Sequence, residues 1–189
     1  MAISNRQFGK DHGPLAHAMS FGWGLGFWMG VRFILEAQQL NYSWLGVIGW
    51  LIGLYIIFGM YTSTVHYKYK VRGGKLSFGK AYLYVLELGM CAALVGALVK
   101  WAYLMWFDTD YLRYVYNTMM PLLEKLFPTQ LESAEAALKA LLTPIRFAVN
   151  SIAGELLTTA LVGILIAALA VRAKNFLPDD ADNDSEDDI

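Results

Sequence analysis

Four long apolar stretches constrain this chain more than any other feature of its sequence. A helix needs about 20 mostly apolar residues to cross the hydrocarbon core of a bilayer, which is roughly 30 Å thick. Stretches of that length occur at about residues 14–35, 44–66, 78–106 and 146–171. The sequence therefore predicts an all-α fold, an integral membrane four-helix bundle within residues 1–177.

A soluble bundle with unusually apolar helices is the alternative. Charged residues make up only 16% of the chain, against about 25% in a typical soluble domain. Tryptophan and tyrosine rings favour the headgroup level of a bilayer. They gather near the ends of the predicted spans, at Trp44, Tyr67, Tyr69, Trp101, Tyr103 and Trp106. Both features favour the membrane interpretation.

The connections between the spans differ in their content of basic residues. The loop between spans two and three contains Lys68, Lys70, Arg72 and Lys75, whereas residues 36–43 contain no Lys or Arg. The positive-inside rule then predicts that this basic loop and both termini lie in the cytoplasm. We expect the four basic side chains to contact anionic lipid headgroups, each contributing about 1 kcal/mol. The Arg-Gly-Gly-Lys sequence within the loop indicates a tight turn.

Residues 107–145, between spans three and four, have the pattern of two short amphipathic helices. Apolar residues recur at three- and four-residue spacing from Leu112 to Phe127, where Pro128 ends the pattern. Thr129 and Glu132 fit a capping box that begins the second helix. We interpret the segment as a helical pair on the outer face of the membrane or capping the bundle. A docking surface for a partner or an amphipathic substrate is the alternative.

The ends of the chain and its metal-binding residue types carry little chemistry. Seven of the sixteen acidic residues lie in the last eleven positions, which predicts a disordered acidic tail at 178–189.

One cysteine excludes an intramolecular disulfide. That cysteine and three scattered histidines suggest no metal cluster. We expect no cofactor and no nucleic-acid partner. The residues in question are Cys91, His12, His17 and His66.

Small residues on the predicted spans indicate close helix packing, because helices in lipid gain little from apolar burial against one another. In span one the glycines fall at four-residue intervals, and spans two and three add further candidates. We interpret them as packing positions inside the bundle, with homo-oligomer contact or a lipid groove as alternatives. The predicted packing residues are Gly22, Gly26, Gly30, Gly53 and Gly96.

Ionisable residues within a span are candidates for a functional site, because a charge in lipid is energetically costly. Arg32 and Glu36 are four residues apart, so they meet on one helix face. Lys100 is expected to extend toward the headgroups. We predict that several polar residues of the outer half form one polar cluster, namely Arg32, Glu36, Lys100, Arg146, Asn150 and Glu155.

Glu87 lies in the other half of the membrane, with His66 and the basic loop as its nearest expected partners. At 1.5 Å per residue it is offset from Glu155 by about 12 Å along the bilayer normal. Either glutamate has two interpretations. One is a structural ion pair or a protonated, hydrogen-bonded carboxyl, and the other is a role toward a substrate, a proton or a lipid headgroup.

One stretch of the basic loop resembles a known family. Residues 72–82, RGGKLSFGKAY, are similar to the signature of a small four-span bacterial inner-membrane family of unknown function, widespread in Bacteroidota. In that family a G-x-(I/L)-S-F-x-x-A turn opens the third span, and a long helical segment precedes the fourth. The resemblance extends to about Asn175. It implies four helices in a bacterial inner membrane and no catalytic residues.

The sequence contains no GxSxG elbow, no metal-spaced His/Glu pair and no phosphate-binding glycine loop. We therefore predict a non-enzymatic scaffold or accessory subunit of an envelope complex, in contact with membrane lipids and with a homo-oligomer or a membrane-protein partner. The alternative is a small transporter or lipid-handling protein that uses the intramembrane glutamates. An enzyme acting on lipid-linked sugars ranks last. A polar cavity touching both Glu87 and Glu155 would favour transport.

Overall fold

A computed structural model describes residues 13–39 and 42–174 of the chain. Those residues form helices and connections without a β-strand. The predicted disorder of the tail at 178–189 lies outside the described residues, and so do the first twelve residues. The α-helices are α1 (Pro14–Gln38), α2 (Leu45–His66), α3 (Phe78–Trp106), α4 (Tyr111–Leu126), α5 (Leu131–Leu141) and α6 (Pro144–Arg172).

Four of these helices, α1, α2, α3 and α6, are long and apolar enough to cross a membrane. The observed starts agree with the predicted ones to within two residues. The first helix extends three residues beyond its predicted end, to Gln38, because Arg32 and Glu36 pair along its surface and do not interrupt it. The prediction of an all-helical fold with four helices of membrane-spanning length is confirmed for the described residues.

The most extensive helix contact in the bundle joins α1 to α3, two helices that run parallel. A Cβ added at Gly22 would lie 2.7 Å from Cys91 Cβ, and one added at Gly26 would lie 2.5 Å from the Ala92 carbonyl oxygen. Gly30 faces Val99 in the same way. The glycine stripe therefore lets the two backbones approach where larger residues would separate them. Gly96 lies at the same interface, where an added Cβ would be 3.4 Å from the Gly26 carbonyl oxygen.

Helix α6 packs antiparallel on the other side of α3. Gly89 faces Thr159, and Gly163 faces Val85. Helix α2 is the least enclosed of the four and packs antiparallel to α1, also contacting α6. Helix α3 therefore forms the centre of the bundle, and a gap is left between α1, α2 and α6.

The two ends of the bundle have different structures. At the loop end, a π-helical turn (Tyr67–Val71) extends α2, and Gly73 and Gly74 follow with φ of +59° and +83°. Those left-handed conformations suit glycine and close the tight turn predicted for this sequence. At the opposite end, called the hairpin end, α4 and α5 connect the end of α3 to the start of α6.

Helices α4 and α5 form the predicted pair of short helices. Tyr116 of α4 donates a hydrogen bond of 2.6 Å to Glu135 of α5. The predicted capping box is wrong, because a 3-10 turn (Pro128–Gln130) takes up Thr129 and α5 begins only at Leu131 without a side-chain cap. Pro128 fixes this turn because its ring restricts φ and it has no backbone N–H.

Candidate functional site

A cavity of about 460 Å³ lies between α1, α2 and α6, in the gap on the less enclosed side of the bundle. Its volume falls within the range typical of small-molecule pockets. Toward the hairpin end its wall is charged, and toward the middle of the bundle it is mostly apolar. The charged residues are Arg32, Glu36, Lys100 and Glu155, and the apolar wall includes Met29, Ile56, Met60 and Val162.

An ion pair between α3 and α6 forms the deeper part of the charged wall. Lys100 Nζ donates a hydrogen bond to Glu155 Oε1, and the two side chains are only 8% and 19% exposed. The ammonium also lies 5.5 Å from the centre of the Phe33 ring, a favourable cation–π arrangement. Lys100 therefore does not extend to the headgroups as expected from the sequence, because a carboxylate on the neighbouring helix satisfies it inside the bundle.

The second carboxylate oxygen of Glu155 is turned into the protein. Its Oε2 is buried and has no hydrogen-bond partner among the described residues. It lies against Gly96, where an added Cβ would be 3.6 Å away. Gly96 thus leaves room for a carboxylate as well as for close helix packing.

A second ion pair lies nearer the hairpin end and is more open. Arg32 Nε donates to Glu36 Oε1 at 2.7 Å, and the two side chains are 44% and 43% exposed. The guanidinium lies against Gly53 of α2, where an added Cβ would be 3.2 Å from Arg32 Nη1. Gly53 was predicted as a helix-packing residue, and its contact at this interface is the arginine side chain. Glu36 also lies near Tyr111 at the start of α4. The pKa of Tyr111 is raised, mainly because the residue is partly buried and secondly because of the Glu36 charge.

The structure brings together four of the six residues of the predicted polar cluster. Asn150 is exposed and does not line the cavity. Arg146 donates to the carbonyl oxygen of Ala140 at 3.0 Å, outside the cavity. Both residues lie on the first turns of α6 and are exposed. The prediction that they join the cluster is therefore wrong.

Glu87 lies apart from this cavity. Its Oε2 is buried and has no hydrogen-bond partner in the described part of the chain. The neighbours expected from the sequence, His66 and the basic loop, do not satisfy that oxygen. The cavity therefore touches one of the two intramembrane glutamates, Glu155, and the arrangement expected for a transporter using both is not formed.

Lys68 is placed differently from the other basic residues of the loop. It is 5% exposed, and its Nζ donates to the carbonyl oxygens of Ala170, Val171 and Ala173 at 3.3, 2.8 and 2.8 Å. A lysine that satisfies the last carbonyls of α6 does not reach lipid headgroups, so the predicted lipid contact is wrong for this residue. The other three basic residues for which lipid contact is predicted, Lys70, Arg72 and Lys75, are exposed.

A hydrogen-bonded group at the loop end was missed by the sequence analysis. His17 Nδ1 lies 2.6 Å from the Tyr84 hydroxyl, and His17 Nε2 lies 3.0 Å from His66 Nδ1. The Tyr67 ring stacks on Tyr84 at 4.2 Å, and Arg72 Nε donates to the Tyr67 hydroxyl at 2.9 Å. The available signal was that His17 and His66 lie near the same predicted membrane boundary. The described residues contain no group of three or more His, Cys, Asp or Glu that could hold a metal ion.

Comparisons with known proteins give one match. No curated protein and no solved structure matches the chain. The model of a family described as a protein of unknown function, DUF4199, matches residues 16–172. Apart from the first two residues of α1, this match covers the four long apolar helices and the α4–α5 segment. The chain therefore belongs to the DUF4199 family of proteins of unknown function.

Proposed function

We propose that this integral membrane protein binds a membrane amphiphile in the cavity between α1, α2 and α6. The observation that supports this proposal is a cavity between the long apolar helices, with two ion pairs at one end and an apolar wall at the other. An amphiphile has the same division into a polar headgroup and an apolar chain. Binding of this kind belongs to the lipid-handling class and requires no catalytic residue.

Cross-linking with a photoactivatable amphiphile tests this proposal. Ile56 and Met60 line the cavity and are only 4% and 3% exposed, whereas Phe58 on the same helix is 62% exposed. Lipid bound only around the protein would label Phe58 and leave the two buried residues unlabelled. We expect mass spectrometry to find labels at Ile56 and Met60. Labelling confined to the exposed surface of α2 would contradict the proposal.

A cavity-filling variant provides the matched control. Gly154 lines the cavity and has open space where a Cβ would be added. Gly154→Leu should place a side chain in the cavity and abolish labelling of Met60. Gly24 of α1 also has open space around it but does not line the cavity, so Gly24→Leu should leave the labelling unchanged.

The scaffold or accessory-subunit function predicted from the sequence is the second proposal. Its support is the exposed apolar surface of the α4–α5 segment, in which Leu122, Leu126 and Phe127 are 51%, 70% and 50% exposed. Such a surface suits a protein partner, a second copy of the chain, or the interface of the membrane. A partner recovered stoichiometrically from native membranes, and lost in a Leu126→Glu variant, is the expected result. A protein that purifies with no partner would count against it.

We also propose a bacterial inner-membrane location, with the loop end and both termini in the cytoplasm and α4 and α5 on the outer face. The supporting observation is the basic loop, in which Lys70, Arg72 and Lys75 remain exposed. Cysteines introduced at Lys75 and at Glu124 of α4 should react differently with a membrane-impermeant reagent in intact cells. Only the one at Glu124 should be labelled, and labelling at Lys75 would reverse the orientation.

A further inference from the structure

The charged end of the cavity indicates which kind of headgroup it binds. We propose that the headgroup is a zwitterion with one oxyanion and one primary ammonium, an inference that rests on the proposed amphiphile binding. Arg32 binds the oxyanion and Glu36 binds the ammonium. The inference comes from the free hydrogen-bonding capacity of these two side chains and from the net charge of the cavity.

Arg32 supplies the donors. Of its three guanidinium nitrogens, Nε alone has a hydrogen-bond partner within the described residues, and that partner is Glu36. The two terminal amino groups form the edge that binds a phosphate or a carboxylate through two parallel hydrogen bonds. Gly53 lets this guanidinium lie close to the α2 backbone, and the side chain remains 44% exposed beside the cavity.

Glu36 supplies the acceptor. Its Oε1 is occupied by Arg32, and Oε2 has no hydrogen bond to another described residue. The side chain is 43% exposed and lines the same cavity. An ammonium with three N–H donors can therefore bind Oε2 while the adjacent guanidinium holds the oxyanion.

The net charge of the cavity favours a ligand without net charge. Its two cations, Arg32 and Lys100, are balanced by its two anions, Glu36 and Glu155. An anionic or cationic headgroup would leave the cavity with one uncompensated charge beside its apolar wall and the nearly enclosed Lys100–Glu155 pair, where such a charge is costly. A zwitterion leaves none. The Lys100–Glu155 pair is nearly enclosed, and the second Glu155 oxygen, Oε2, is turned toward Gly96, so the pair contributes to the balance without contacting the headgroup.

The size of the cavity limits how much of the ligand it encloses. About 460 Å³ accommodates a headgroup and the first part of a chain. The apolar wall formed by Ile56, Met60 and Val162 continues from the charged end toward the middle of the bundle. The remainder of the chain then extends into the surrounding lipid.

Native mass spectrometry of the full chain in detergent can compare three lipids with identical acyl chains. Phosphatidylethanolamine carries a phosphate and a primary ammonium, phosphatidylcholine is a zwitterion without N–H donors, and phosphatidylglycerol is an anion. We expect phosphatidylethanolamine to bind about tenfold more tightly than either of the others, because charged hydrogen bonds of this kind are worth at least that factor.

Three substitutions assign the preference to individual residues. Glu36→Gln should lower the affinity for phosphatidylethanolamine about tenfold and leave that for phosphatidylglycerol unchanged or higher. Arg32→Lys keeps the positive charge but removes the two terminal amino groups that form parallel hydrogen bonds, so it should weaken binding of all three lipids. Arg113→Gln, at an exposed position of α4 outside this cavity, is the matched control and should change nothing. Because the Arg32–Glu36 pair is exposed, these variants are expected to fold.

The outcomes separate this inference from the proposed function. Tighter binding of phosphatidylglycerol than of phosphatidylethanolamine, or a Glu36→Gln variant with an unchanged ratio of the two, would overturn the zwitterion proposal. Photo-labels at Ile56 and Met60 would still support amphiphile binding in that case. If these labels and all lipid binding are absent, both proposals fail.

Discussion

Lys100 of α3 and Glu155 of α6 form an ion pair within the membrane-spanning part of the bundle, where they are only 8% and 19% exposed. Removing one member leaves the other as an uncompensated buried charge. We expect Lys100→Met or Glu155→Leu alone to reduce the free energy of unfolding by about 3–5 kcal/mol. The double variant should lose less than either single variant. Unfolding of the purified protein in detergent would measure all three.

The exposed Arg32–Glu36 pair is the control for this experiment. Its loss should reduce the free energy of unfolding by no more than about 1 kcal/mol, because solvent-exposed ion pairs contribute little. Equal effects of breaking the two pairs would mean that the burial of Lys100 has no energetic consequence.

The α1–α3 interface should tolerate no side chain at its glycines. A Cβ at Gly26 would lie 2.5 Å from the Ala92 carbonyl oxygen, a backbone atom that moves only with its helix. We expect Gly26→Ala to lower the free energy of unfolding by about 1–3 kcal/mol. Gly24, two residues earlier, has no atom within 4 Å of an added Cβ, so Gly24→Ala should be neutral or slightly stabilising. Melting temperatures that move together in the two variants would contradict this contrast.

Lys68 and Lys75 should separate stability from lipid binding. Lys68→Met removes the donor to three carbonyl oxygens at the end of α6, so we expect a loss of about 1.5–3 kcal/mol and faster amide exchange near Ala170. Lys75 is exposed in the tight turn, and Lys75→Met should leave stability unchanged. The Lys75 variant should instead bind anionic vesicles more weakly. A Lys68→Met protein of normal stability and weakened vesicle binding would restore the lipid-contact interpretation.

The contact between α4 and α5 should depend on pH in a defined way. Hydrogen bonds from Lys139 and Tyr116 lower the pKa of Glu135 below its usual 4.5, and the bond to Glu135 raises the pKa of Tyr116 above 10. The folded state therefore resists protonation of Glu135 and deprotonation of Tyr116. The contact is complete between about pH 4.5 and pH 10 and is lost beyond the two shifted values.

Distances between spin labels on α4 and α5 would follow this dependence. We expect a constant distance across neutral pH and a broader distribution at the acidic and alkaline extremes. Glu135→Gln removes the acidic transition and serves as the control. If its profile matched that of the wild type, the Glu135 carboxylate would not be the group that titrates.

Sequence patterns predicted the helices well because length and composition are local properties. The bilayer requires about 20 apolar residues whatever the partner helix is, so the span at 78–106 could be placed without knowing its neighbours. The tight turn at Gly73 and Gly74 and the spacing of Gly22, Gly26 and Gly30 are local in the same sense.

The functional site was predictable only in part because it depends on helix rotation and tilt. Lys100 could extend along its helix to the headgroups or turn toward α6, and only the position of Glu155 decides between the two. Asn150 is adjacent to Ser151 and five residues before Glu155, which both line the cavity, yet Asn150 is exposed and does not line it. His17, His66 and Tyr84 meet only because three helices end at one level.

The parallel contact between α1 and α3 has a consequence for how the chain is assembled during synthesis. Its tightest seam joins two segments that are about seventy positions apart and separated by a whole helix, so this seam cannot close until the third span has entered the bilayer. Helix α6 is the last span to be synthesised, and its Glu155 completes the wall of the cavity. A ribosome stalled before residue 144 would thus hold a three-helix unit in which Lys100 has no Glu155 carboxylate to pair with.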